Sequence, residues 1–254
     1  MTTKPQSEID LRLGRWQDVL ADVECDALVV DAPYSEKTHA AHAPRTSVLT
    51  ACERDAKWAA RGGKRRSIGY EFFSPEDVRD FVQAWAPRTR GWFVSITDDL
   101  LAPVWRAELE AIGRYAFAPL ACVDAGSRVR LAGDGPSNWT VYAVVARPRQ
   151  GPFKKWGTLP GAYVVPAGQR GLTADRKPVM GGKPIWLMQA LVRDYSRPGD
   201  LVCDPCAGAG TTLLAAAVEG RRAVGAECLP AHYEIAQKRL GRGYTPTLFT
   251  ESSR

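Results

Sequence analysis

Two short segments carry residue types that could do chemistry. Asp31-Ala32-Pro33-Tyr34 stands early, at the end of an apolar run. Asp204-Pro205-Cys206-Ala207-Gly208-Ala209-Gly210-Thr211-Thr212 stands late, before an alanine-rich stretch. In the first, a carboxylate can accept a hydrogen bond from an exocyclic amine. The carbonyl before Pro33 can accept a second, because a pre-proline residue is confined to extended backbone. Tyr34 can stack on a flat ring, as aromatic side chains do on an extruded nucleobase. The same four residues also fit a strand ending in a proline turn with a half-buried tyrosine.

The second segment reads as a cofactor loop. Gly208 and Gly210 permit positive φ and a close backbone approach to a ligand. Residues 201–203 are a short apolar run, as in a buried parallel strand. Residues 211–219 read as a helix stopped by Gly220, and 223–226 as a second strand ending at Glu227. That acid follows the first glycine by about 20 residues, the separation at which a Rossmann-type unit places a carboxylate on ribose hydroxyls. No lysine precedes the threonines, which disfavours a phosphate-binding P-loop. Position 213 is leucine rather than a third glycine, which disfavours a dinucleotide. An adenosine-bearing cofactor without a pyrophosphate fits better, with its carboxylate at the helix start.

The elements that position these segments follow from patterning. Residues 25–31 read as a strand carrying the early turn at its carboxyl end, where open α/β sheets collect ligands. Residues 1–24 read as a short strand and a helix over 16–23. Ser74-Pro75-Glu76-Asp77 starts a helix reaching about Ala86. Strands are expected over 91–96, 115–123 and 139–146. Asp98-Asp99 caps a helix reaching about Ile112. Strands alternating with helices predict an α/β sheet with helices on both faces.

The two segments and their order resemble the amino-methylating DNA methyltransferases that use S-adenosylmethionine. The resemblance is to their permuted, beta-type arrangement, in which the catalytic turn precedes the cofactor loop. In that family the turn is usually Asp-Pro-Pro-Tyr or Ser-Pro-Pro-Tyr, and the loop Asp-Pro-Phe-x-Gly-x-Gly-Thr-Thr. Asp204, Pro205, Gly208, Gly210, Thr211 and Thr212 match the loop, with Cys206 in place of phenylalanine. Ala32 stands where the family has its first proline. The backbone carbonyl survives that exchange and the stiffness of a fixed φ does not. Lys183-Pro184 opens a helix to about Tyr195 that looks like the family's segment beside the methionine end of the cofactor. Residues 233–240 look like its closing helix. The resemblance is dense over 183–240 and 25–34 and thin between.

The resemblance implies a Rossmann-like class I methyltransferase sheet and S-adenosylmethionine as cofactor. It implies that Asp31 and the Ala32 carbonyl orient the target amine and that Tyr34, after Pro33, stacks on a flipped base of double-stranded DNA. Lys183, Thr211 and Thr212 would lie near the methionine end and Glu227 on the ribose. An aspartate at the head of the turn leans toward N6 of adenine, with N4 of cytosine as the alternative. An RNA or protein amine, or an inactive relative that binds DNA or cofactor, are further readings.

The chain has 254 residues, a formal net charge of +6 and six cysteines. This length predicts a single methyltransferase domain, and the charge suits a polyanion. The irregular cysteines and three histidines offer no metal set. No apolar run approaches a membrane span and no signal core opens the chain. A cytoplasmic bacterial or phage-encoded enzyme is expected, with a homodimer as one assembly and any restriction nuclease on a separate chain. The long stretch 35–74, with Lys64, Arg65 and Arg66, reads as a lid contacting DNA or as a solvated basic loop. Residues 147–182, with Lys154, Lys155 and Arg170 among glycines and prolines, read as the target-recognition region or a plain crossover. Arg128 in the loop 126–138 shares the DNA-contacting reading, and 183–240 forms the cofactor-binding part.

Overall fold

The computed structural model describes residues 8–42, 70–125, 138–165, 179 and 181–242. The strands are β1 (Ile9–Leu13), β2 (Ala27–Asp31), β3 (Phe93–Thr97), β4 (Arg114–Ala116), β5 (Leu120–Asp124), β6 (Thr140–Pro148), β7 (Ala162–Val165), β8 (Leu201–Asp204) and β9 (Arg222–Glu227). They form one sheet in the order β1-β9-β8-β2-β3-β6-β5-β7, with β4 also paired to β6. Every neighbouring pair is parallel except those made by β6. The carboxyl ends of β2, β5, β8 and β9 therefore share one edge of the sheet, together with the start of β6. The central strand β2 is apolar from Ala27 to Val30 and fully buried, because both of its faces are covered.

Helices cover both faces. One carries α1 (Trp16–Val19), α3 (Pro75–Trp85) and α4 (Ala102–Ala111), which bury Phe81, Trp85, Trp105 and Leu109 against Leu28, Val30 and Phe93. The other carries α5 (Ile185–Tyr195) and α6 (Thr211–Val218), which bury Met188, Leu191 and Leu213 against Val29, Val94 and Val202. Two further helices, α2 (Glu36–His42) and α7 (Pro230–Arg242), flank the site. The start of α3 is a capping box. Ser74 Oγ accepts from the Asp77 amide, and the Asp77 carboxylate accepts from the Ser74 amide. Such caps contribute about 1 kcal/mol.

Several local expectations are corrected. The first helix ends at Val19 rather than Val23, and Leu20 leaves the helical region. The stretch 115–123 is two strands, because residues 117–119 stand opposite 144–145 in the β6 register. This is a one-residue bulge at Pro119, which has no N–H to give to the ladder. Asp98 does not start its helix directly. Its carboxylate accepts from the Leu101 amide, and the helix begins at Ala102. The stretch 35–74 opens with the helix α2 rather than a loop. The interval 147–182 is no unstructured connector, since it contains a 3-10 turn (Phe153–Trp156) and the strand β7. Among the described residues, no helix is long and apolar enough to cross a membrane.

Candidate active site

The early turn leaves β2 at the carboxyl edge of the sheet. Asp31 is half-buried, and Ala32 is buried with its methyl in the core below. The Tyr34 ring is half-buried, and its hydroxyl is buried with no hydrogen-bond partner among the described residues. Burial raises the Tyr34 pKa well above that of a free phenol, and the Asp31 charge adds to it. The phenol is therefore neutral and acts as a flat apolar surface. The Tyr34 carbonyl accepts from the Phe73 amide at 3.0 Å, which ties the segment before α3 to the turn.

Lys183 meets the turn from across the sheet. Its Nζ lies 2.8 Å from Asp31 Oδ1 and 2.9 Å from Oδ2, and 4.6 Å from the Tyr34 ring centroid. A second donor reaches the Gly181 carbonyl at 3.0 Å. The lysine expected near the methionine end of the cofactor thus pairs with the early turn.

A cavity of about 190 Å³ opens beside this group. Asp31, Tyr34, Trp139, Thr140, Trp186 and Lys183 line it, and Asp98 and Asp124 close it from the next strands. Three members of the 35–74 stretch, Thr38, His39 and Tyr70, line it as well, the last two with rings edge to face at 5.2 Å. The chamber therefore offers aromatic surfaces, carboxylates and a single lysine, which suits a flat ring bearing an amine.

The late loop follows β8, the strand next to β2. Asp204 is buried, and Oδ1 accepts from the Cys206 amide at 3.0 Å. Burial pushes its carboxyl pKa up to about 7, against the lowering effect of the Thr212 hydroxyl and the Cys206 amide. Gly208 and Gly210 both take positive φ, 53° and 73°. An added Cβ on Gly210 would meet Ala236 at 3.3 Å, so α7 packs against the loop from one side. An added Cβ on Gly208 would meet nothing nearer than 4.0 Å, so that backbone faces open space. Thr211 and Thr212 are buried, and the Thr211 hydroxyl accepts from Arg239 at 3.0 Å. These hydroxyls hold the loop together rather than reach outward.

Glu227 ends β9, one strand further along. Its Oε1 accepts from the Leu229 amide at 2.7 Å, and burial raises its pKa. A buried carboxylate beside an open glycine backbone suits a sugar-bearing cofactor. Pro205 is buried under the loop and Cys206 is half-exposed at its lip. None of these residues lines the cavity at Asp31.

Comparison with known proteins places the late half of the chain. Residues 175–238 match the family model for DNA methylases, N6_N4_Mtase. The resemblance to the amino-methylating DNA methylases holds. A putative methylase, YubD, of Escherichia coli (strain K12) is 40% identical over 58 residues, which are 23% of this chain and 26% of that protein. The chain thus aligns with about a quarter of that relative's length. The structure of the M1.HpyAVI–SAM complex is 18% identical, covering 91% of this chain and 98% of that one at a TM-score of 0.60. PvuII DNA methyltransferase, described as cytosine-N4-specific, is 14% identical over 98% of this chain and 89% of its own, at a TM-score of 0.55. At these identities the structural likeness speaks for the fold, a Rossmann-like methyltransferase sheet.

The methylase segment and the early turn lie on one sheet edge, but the predicted DNA-contacting residues do not all follow them. The turn with Lys154 and Lys155 lies at the opposite, amino-terminal end of the parallel strands. There the Phe153 and Trp156 rings pack edge-on against Trp92 at 5.5 and 5.6 Å, and Arg197 stacks on Trp156 at 3.5 Å. The reason is the direction of β6, which runs from Thr140 at the cavity to Pro148 at the far end. Lys64, Arg65, Arg66, Arg128 and Arg170 lie outside the described residues. Several contributors to the cavity escaped sequence reasoning, among them Asp98, Asp124, Trp139 and Trp186. Their available signal was position next to a strand end or helix start. Assigning it requires the sheet order, which the sequence does not display.

Proposed function

We propose that this chain is a DNA methyltransferase. It transfers the methyl group of S-adenosylmethionine to an exocyclic amine of a base turned out of double-stranded DNA, with N6 of adenine favoured over N4 of cytosine. The observation that carries this reading is the convergence of Asp31 and Tyr34 on one cavity, one strand away from a glycine loop of the methylase family. The aspartate at the head of the turn supports adenine.

Bound S-adenosylmethionine supplies a methyl on a sulfonium, which is already activated toward a nucleophile. The chain's own residues bind and orient. Glu227 would bind ribose hydroxyls, and the Gly208 backbone would allow close approach of the cofactor. Asp31 and the Ala32 carbonyl accept the two amine hydrogens, which aims the nitrogen lone pair at the methyl. Tyr34 holds the ring flat. The amine nitrogen would take the methyl carbon as the carbon–sulfur bond breaks to leave a thioether, and the amine would release one proton to solvent. Alignment and exclusion of water supply most of the rate.

The flanking segments take their roles from where they leave the sheet. His39 and Tyr70 line the cavity on either side of residues 43–69, which supports a lid at 35–74. Val165 pairs with Asp124 at the cavity edge, and Lys183 returns there. This supports target recognition by 166–182 rather than by 147–161. The deciding experiment is nucleoside mass spectrometry, with methylation-sensitive sequencing, of DNA from a methylation-free host expressing the chain. N6-methyladenine absent from the empty-vector control supports the reading. N4-methylcytosine changes the base, and no modified base refutes it.

A further inference from the structure

We propose that Lys183 is a placeholder for the target amine and a gate on the acceptor site, an inference that rests on the methyltransferase reading. An acceptor base must make two contacts with the early turn. Its amine must donate to the Asp31 carboxylate, and its ring must lie on Tyr34. The Lys183 ammonium makes both. It donates to Asp31 Oδ2 at 2.9 Å, lies at ion-pair distance, 2.8 Å, from Oδ1, and sits over the Tyr34 ring at 4.6 Å. A second hydrogen goes to the Gly181 carbonyl at 3.0 Å, which holds the ammonium in place from the other side. The side chain is 11% exposed and that of Asp31 22%. The pair is therefore shielded enough to persist between turnovers, yet one side of it borders the cavity.

A base that enters has to displace the ammonium from Asp31. The lysine stem is a flexible four-carbon chain, so the head can swing out while Pro184 and α5 stay in place. The exchange is balanced only for a base that returns hydrogen bonds to the carboxylate. Adenine and cytosine carry such an amine. Thymine has none, and its entry would exchange the charge-assisted contact at Asp31 without returning an amine hydrogen, which is costly. Lys183 thus tests for an exocyclic amine before the ring is accepted. The gate lowers apparent affinity for DNA by the fraction of time Asp31 is open.

The test compares wild type, Lys183→Met and Lys183→Arg, each checked for folding by circular dichroism, with Lys183→Gln replacing the methionine variant should that one not fold. Methyl incorporation from labelled S-adenosylmethionine into unmethylated DNA is followed as a function of DNA concentration. Cofactor affinity is measured separately by calorimetry. Removing the placeholder is expected to lower KM for DNA by about threefold or more. Arginine, which forks onto both carboxylate oxygens, is expected to raise it by about threefold or more. Cofactor affinity should stay within about twofold in both variants. A methionine variant with raised KM that arginine restores would overturn the gate and leave a simple need for charge. Weakened cofactor binding with unmoved KM for DNA would overturn it in favour of a cofactor ligand. Absence of incorporation by wild type is a different failure, that of the methyltransferase reading, and the gate falls with it.

Discussion

Asp98 fastens the early turn to the neighbouring strand through Ser35. Its Oδ2 accepts from the Ser35 amide at 2.9 Å and from the Ser35 hydroxyl, and also from the Thr38 hydroxyl at 2.6 Å. Its Oδ1 accepts from the Leu101 amide at 3.0 Å. One buried carboxylate therefore clamps the residue after Tyr34, the first turn of α2 and the approach to α4. Burial alone would raise the Asp98 pKa, but the donors from Ser35, Thr38 and Leu101 outweigh it and hold the group below its usual value.

Asp98→Asn should therefore destabilise the fold by roughly 1–3 kcal/mol, because an amide presents its own hydrogens to some of these donors. A depressed folded pKa means the stabilisation is complete above the unfolded value of about 3.9 and is lost as pH falls through the lower folded value. Denaturant titrations at pH 7 and pH 3 should show the gap between wild type and variant narrowing in acid. An equal gap at both pH values would remove the clamp.

Tyr34→Phe and Tyr34→Ala separate the ring from its hydroxyl. The hydroxyl is buried without a partner among the described residues, so phenylalanine should be at least as stable as wild type. It should also keep kcat/KM within about threefold. Alanine removes a stacking surface worth roughly 1–3 kcal/mol per base and should lower kcat/KM accordingly. Normal turnover by the alanine variant would take Tyr34 out of the acceptor site.

Asp204 gives the opposite pH signature. Its folded pKa is raised by burial to about 7, so between the unfolded value of about 3.9 and that point the folded chain holds a proton the unfolded chain has released. Stability is therefore greatest below the unfolded value and falls as pH rises toward 7. Asp204→Asn, neutral throughout, should lack this decline, so its stability relative to wild type should improve by a few kcal/mol at most from pH 4.5 to 7.5, on the order set by about 1.4 kcal/mol per unit. Parallel pH profiles for the two proteins would show that Asp204 is ionised in the fold.

Lys155→Ala tests the far end of the sheet. With the 3-10 turn packed around Trp92, away from the cavity, this exposed lysine should contribute nothing to the salt dependence of DNA affinity. A log–log slope reduced by about 1 would mean a phosphate contact there, and would draw DNA around to the amino-terminal edge.

Much of this arrangement was legible because it is local. The strand before Asp31, the capped start at Ser74 and the strand-loop-helix-strand unit from Leu201 to Glu227 follow from short-range signals. These are apolar runs, an N-cap with proline, and glycines that take positive φ. The errors have local causes too. Pro119 breaks a strand that patterning alone continues, and the helix after Trp16 stops early at Leu20. The place of Lys154 and Lys155 was not legible for a different reason. Charge and glycine content mark a surface, but they do not say at which end of the sheet that surface lies.

The sequence by itself determined the two chemical segments, their order, and the alternation of elements that makes an α/β sheet. Those features depend on backbone preferences and on residues within a few positions of one another. Only the tertiary structure decided which side chains meet. It brought Lys183 to Asp31 across 152 residues and set Asp98 under Ser35. It also turned the 3-10 turn away from the cavity through the antiparallel run of β6. Such contacts arise from strand order and direction, which are set by how whole faces bury their apolar surface and which no short window of sequence contains.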